Sequence, residues 1–149
     1  MTAVGARDVH FERVFEAPRE AVFAALTQAD KVKAWMGPRG CRLVVCDIDL
    51  TVGGAYRYVM STPDGGEMGW GGVYREIDAP RHLVHTESFD DWPTMESVIT
   101  TELSERGGKT VFFAKIRYAS RETRDAVLAS GMEHGAAESY DRLAELLAA

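Results

Sequence analysis

The sequence predicts an α+β domain: one strongly curved antiparallel sheet of about six or seven strands wrapped around a long C-terminal helix, with two short helices after the first strand. Three observations lead there. Apolar residues alternate with period two in short segments between residues 8 and 120, the turn signals PDGG, DAPR, DDWP and RGGK separate those segments, and after Ser120 the period changes to three and four. The 149 residues suit one domain with a sizeable core, placed at residues 6–149, and residues 1–5 are expected to form a disordered tail.

Taken in order, ARDVHFERVFEA sets Val9, Phe11, Arg13 and Phe15 against His10, Glu12 and Val14, a half-buried first strand. Pro18 opens a helix over APREAVFAALTQ with Val22, Phe23 and Leu26 on one stripe. A second helix, DKVKAWMG, takes Asp30 as its N-cap and stops at Gly37-Pro38. The segments CRLVVCDI, GGAYRYVMST, EMGWGGVYREI, HLVHTESF, TMESVITTELSE and TVFFAKIRYAS then read as an antiparallel meander. From Arg121 to Leu147 the stripe Val127, Leu128, Met132, Ala136, Ser139, Leu143 predicts one helix, roughly 35–40 Å long at 1.5 Å per residue. Only the sheet is large enough to bury that stripe. Gly53-Gly54, Gly69 and Gly71-Gly72 provide the bends that a strongly curved sheet needs, and a helix over a concave face leaves a pocket.

Strand parity indicates what points into the pocket. Tyr56, Tyr58 and Met60 share one face, as do Leu83, His85, Glu87 and Phe89, so two apolar anchors bracket a His and a Glu. Ser97, Ile99, Thr101 and Leu103 face the same way, and so do Phe112, Ala114, Ile116 and Tyr118. Met132, Gly135, Ala136 and Ser139 approach from the helix, the small ones leaving room for a ligand or for bulky sheet side chains. Trp35, Met36, Trp70 and Trp92 (in a loop) are expected at the pocket ends, and Tyr74 with the inward set. A packed aromatic core explains each of these residues singly. Their concurrence with four polar side chains, His85, Glu87, Ser97 and Thr101, invites a polar small molecule or ordered water, because buried polar groups need partners, and a mutually satisfied His–Glu–Thr network with no ligand is the equal alternative.

Composition excludes several function classes. A net charge of −6 with scattered Lys and Arg argues against nucleic-acid binding and against anionic membrane surfaces. No stretch has the ~20 apolar residues of a membrane span, the N-terminus has no signal-peptide core, and the expected location is cytoplasmic. Cys41 and Cys46 lie five apart on one strand, about 16 Å between Cα atoms and on opposite faces, so they are expected to be free thiols. Neither they nor the four His residues have metal-ligand spacing, and no metal or other cofactor is expected.

The chemical motifs are few. No GxSxG elbow or phosphate loop is present, because the glycine pairs never precede a helix. His85 and Glu87, two apart on a strand, can form an acid/base pair in which the carboxylate orients the imidazole, and a structural hydrogen-bonding role is the competing explanation.

FERVFEAPREAVFAALTQADKVKAWMGP, DLTVGGAYRYVM, PDGGEMGWGGVYREIDAPRHLVHT, ITTELSERGGKT and GMEHGAAESYDRLAELL together resemble the activator of heat-shock protein 90 ATPase homologue-like family. That family is part of the SRPBCC (START-like, birch-pollen-allergen-like) superfamily, and the resemblance spans residues 8–147. It implies the helix-grip fold and a hydrophobic cavity between sheet and long helix; members bind hydrophobic molecules, and some are polyketide aromatases or cyclases. Met36 replaces a common second aromatic after Trp35, and Glu133-His134-Gly135 stands where the family often has Gly-Trp. The expected function is therefore binding of a small hydrophobic or aromatic ligand by Trp35, Met36, Tyr56, Tyr58, Trp70, Tyr74, His85, Glu87, Phe89, Ile99, Thr101 and Met132. The alternatives are a cyclase-like or hydrolytic enzyme using His85 and Glu87, and an interaction module that binds a chaperone. A homodimer is left open.

Overall fold

The period-two segments form a single eight-stranded antiparallel sheet in the computed structural model, which describes residues 1–148. Its strands are β1 (Thr2–Val4), β2 (Asp8–Phe15), β3 (Arg42–Ile48), β4 (Ala55–Ser61), β5 (Glu67–Asp78), β6 (His82–Phe89), β7 (Trp92–Arg106) and β8 (Lys109–Arg117). The helices are α1 (Arg19–Thr27), α2 (Ala29–Trp35), α3 (Arg121–Ala129) and α4 (Met132–Ala148). Spatial order is β1-β2-β8-β7-β6-β5-β4-β3. Thus α1 and α2 carry the chain from β2 to the opposite edge, and the meander returns until β8 pairs with β2. The fold is the α+β helix-grip arrangement, with inward residues Val9, Phe15, Tyr56, Tyr58, Leu83, Leu103 and Phe112 all buried.

Five expectations are corrected. Residues 2–4 are not a loose tail: they form β1, which pairs with β2 in the register Thr2↔His10. Behind them the buried Arg124 of α3 donates to the carbonyls of Gly5 (3.2 Å) and Asp8 (3.0 Å), and these bonds hold the β1–β2 turn. The C-terminal helix is two helices rather than one. Ser130 ends α3, Gly131 lies in the left-handed region at φ +80°, and α4 starts at Met132. Asp30 lies inside the first turn of α2, whose N-cap is Gln28. Trp92 is the first residue of β7, not part of a loop. Finally, the two thiols are free, but a register shift between Leu43 and Val45 reverses the parity of β3. Cys41 and Leu43 before the shift and Cys46 and Ile48 after it therefore pack against the same core.

Curvature comes from irregularities at defined places. Register shifts interrupt β5–β6 between Tyr74 and Glu76 and β6–β7 between Glu87 and Phe89. Near the first of these, β5 runs too close to its neighbours for side chains. A Cβ at Gly71 would overlap the backbone oxygen of Tyr56, and one at Gly72 would overlap the backbone oxygen of Thr86. The buried Thr86 repairs the ladder there: its hydroxyl accepts from the Val73 amide (3.0 Å), and its carbonyl accepts from the Tyr56 hydroxyl (2.6 Å).

Small residues on α4 serve packing. The Gly37 amide donates to the Ser139 hydroxyl (3.0 Å), and a Cβ at Gly135 would lie 3.4 Å from Pro38 Cγ. Arg142 donates to the carbonyls of Ala34 (3.2 Å) and Gly37 (2.8 Å), satisfying groups left open at the C-terminus of α2. Gly135 and Ser139 therefore seat the α2–β3 loop and do not make room for a ligand; of the small residues expected at the pocket, Ala136 is the one that lines it.

Because Gly72 meets backbone rather than a flexible side chain, Gly72→Ala is expected to destabilise the protein by about 3 kcal/mol. Urea unfolding measures it, and an unchanged midpoint would show that the β5–β6 approach is relaxed.

Candidate functional site

The concave face of the sheet and the α2–α4 side enclose a cavity of about 220 Å³. Tyr56 and Tyr58 of β4, Trp70 and Tyr74 of β5, and Leu83, His85 and Glu87 of β6 form its sheet wall. Ile99 and Thr101 of β7 extend that wall, Trp35 and Met36 at the end of α2 close one side, and Met132, Ala136 and Tyr140 of α4 cover it. A second cavity of about 490 Å³ adjoins it under α3, lined by Phe89, Trp92, Met95, Ser97, Thr123 and Ala126 among others. Glu87, Tyr118, Val127 and Met132 belong to both walls. Together the two reach the size usual for small-molecule pockets.

All twelve residues expected at the ligand site line one cavity or the other, with Phe89 in the outer one only. Trp35 is a wall rather than a lid: it is buried, and its indole N–H donates to the Ala25 carbonyl (2.8 Å). Trp92 stands at the outer cavity with 57% of its surface exposed. Phe11, Leu26 and Tyr140 line the inner cavity without having been anticipated. For Tyr140 the signal was present, since positions 132, 136 and 140 follow one another at helical spacing on one face.

The aromatic rings form two groups. On the sheet side Tyr56 contacts Tyr58 (5.0 Å between centroids), Tyr74 (5.4 Å) and, edge on, His85 (5.4 Å), and the row continues through Trp70 to Phe89. Opposite, Tyr140 stacks on Phe11 (4.8 Å) and Trp35 (5.9 Å). Offset and edge-on geometries of this kind hold large apolar faces rigidly at little entropic cost.

The polar groups stand apart from this order. His85 Nδ1 is buried without a hydrogen-bond partner. Desolvation alone pushes the imidazole pKa down to about 4 and raises the Glu87 carboxyl to about 7. No hydrogen bond joins the two, so the expected arrangement of a carboxylate orienting the imidazole is not formed. Both side chains are half-buried and line the inner cavity. Among the described residues no group of three His, Cys, Asp or Glu side chains is placed to hold a metal ion.

These shifts oppose each other in stability. Glu87 has its pKa raised from 4.5 in the folded state, so its contribution is complete at low pH and is lost as pH rises towards about 7. His85 has its pKa lowered from 6.5, so its contribution is complete above 6.5 and is lost as pH falls towards about 4. Between roughly pH 4.5 and 6.5 the two slopes cancel. Glu87→Gln is therefore expected to show stability that rises with pH across this window, and His85→Phe stability that falls. Urea midpoints across pH read both slopes, and parallel profiles for the two variants would contradict the assignment.

Among solved structures, a Rhodobacter sphaeroides protein is 33% identical, with 95% of this chain and 93% of that chain covered and a TM-score of 0.88. The AHSA1 protein of Silicibacter pomeroyi is 25% identical, with coverages of 95% and 97% and a TM-score of 0.78. A Nitrosomonas europaea protein shares the fold at 24% identity, with coverages of 95% and 94% and a TM-score of 0.83. No curated protein matches the chain. The model of the family described as activator of Hsp90 ATPase homolog 1-like protein matches residues 16–148, and the chain belongs to that family, within the SRPBCC superfamily.

Proposed function

We propose that the protein binds a small, largely hydrophobic or aromatic molecule in the chamber between the sheet and helices α3 and α4. One observation carries this reading: the chamber is walled by rigid aromatic faces yet holds His85, whose buried Nδ1 has no hydrogen-bond partner, and the half-buried Glu87, whose carboxyl is desolvated without an ion pair or hydrogen bond among the described residues. A packed core fills such space and pairs such groups, because each unsatisfied polar atom costs about 1–3 kcal/mol. A bound molecule recovers both costs, covering apolar wall and supplying the missing partner.

Acid/base catalysis stands as a second reading on one observation. The Glu87 carboxyl titrates at about 7, where a general acid works in neutral solution. It requires Glu87 to act as the acid itself rather than as the orienter of His85. Chamber-bound compounds recovered unchanged in mass after long incubation would overturn it.

Titration with the neutral dye N-phenylnaphthylamine tests the main reading. Enhanced, blue-shifted emission that saturates near one dye per chain is expected, and Ala136→Trp, which places an indole inside the inner cavity, should remove it. No enhancement with the wild-type chain, or full enhancement with a folded Ala136→Trp variant, would place binding elsewhere.

A further inference from the structure

We infer that the chamber's ligand is an amphiphile with an apolar body and a protonated nitrogen, the ammonium group seated against the Glu87 carboxylate and the tyrosine rings around it. This rests on the ligand-binding reading above and narrows it to a chemical class.

The charge distribution is one-sided. Glu87 belongs to the walls of both cavities, and among the described residues no Lys or Arg lines either. Glu133 lines the inner cavity and Glu122 the outer. Among the described residues the one fixed cation there, the amino group of Met1, is already paired with Glu133 at 3.3 Å. An anionic amphiphile therefore meets like charge, whereas a cation meets a carboxylate that has no counter-ion. Nothing offsets the burial of Glu87: desolvation is the whole cause of its shift, with neither an ion pair nor a hydrogen bond among the described residues. A carboxylate in this state gains more from a cation than from any neutral donor, because a charged pair in a low-dielectric site is stronger than a neutral hydrogen bond.

The surroundings suit a cation as well. Tyr56, Tyr58, Tyr118 and Tyr140 line the inner cavity together with Glu87, from β4, the residue after β8 and α4; burial raises their hydroxyl pKa values, and the Glu87 charge adds to it. Their ring faces attract an ammonium group. His85, the neighbour on β6, is neutral at physiological pH and adds no competing positive charge.

The test uses three probes that share one body: phenylbutylamine, phenylbutanol and phenylbutyrate, each competing with N-phenylnaphthylamine on the full chain. The amine is expected to displace the dye at about tenfold lower concentration than the alcohol, with the acid weakest. Glu87→Gln should bring amine and alcohol within about threefold. Calorimetry near pH 6 in buffers of different ionisation heat gives an independent readout, since a cation that pairs with Glu87 expels its proton. Release approaching one proton per amine is expected from the wild-type chain and none from Glu87→Gln. If the dye binds but the alcohol or the acid competes as well as the amine, the inference falls and the ligand-binding reading stands. If the dye does not bind the wild-type chain, the ligand-binding reading fails and this inference with it.

Discussion

The close approach of β5 to both its neighbours at Gly71 and Gly72 is the constraint on which the rest of the molecule depends. It draws the backbone oxygens of Tyr56 and Thr86 into space that any side chain would occupy, next to the register shift that interrupts β5–β6. Thr86 makes the bend tolerable, its hydroxyl replacing a ladder partner for Val73 and its carbonyl receiving the Tyr56 hydroxyl. The residues on either side of Thr86 are His85 and Glu87, both aimed into the chamber. The same irregularity that curves the sheet therefore positions the two groups on which any chemistry here must rest.

Closure of the chamber is a separate problem, solved by the helices. Gly131 splits the C-terminal segment so that α4 follows the sheet while α3 stands over the outer cavity. Arg124 ties α3 to the β1–β2 turn, and Arg142 with Ser139 ties α4 to the end of α2. These bonds reach carbonyls that helix and turn geometry leave without partners, so the anchoring of the lid and the satisfaction of the backbone are the same interactions. The roof is pinned at its ends, and the space beneath its middle stays open.

The legible parts of the structure were those set by local pattern. Alternation identified seven of the eight strands and the inward set on β4, β6, β7 and β8, because one face of each strand is apolar and a shift by one residue would bury the wrong set. β1 was missed because three residues carry too little period to read, and its pairing depends on β2. The reversed parity of β3 was missed because a bulge is not written in hydrophobicity: Cys41 and Cys46 look opposed until the extra residue is known. The helix break was written in Ser130-Gly131, but the apolar stripe continues across it and masked the stop signal.

By itself the sequence determined the class of fold, the family and the residues that could line a pocket, since these follow from periodicity, turn chemistry and motifs confined to neighbouring positions. Only the tertiary structure decided that, among the described residues, His85 and Glu87 stand without partners, that Tyr140 and Phe11 form the opposite wall, and that no Lys or Arg lines the chamber. The physical reason is that a buried group's state depends on what surrounds it in space. For Glu87 those surroundings come from β4, β8 and α4, tens of residues away in the chain, and their spacing along the sequence carries no sign of whether they bring a partner or leave a vacancy.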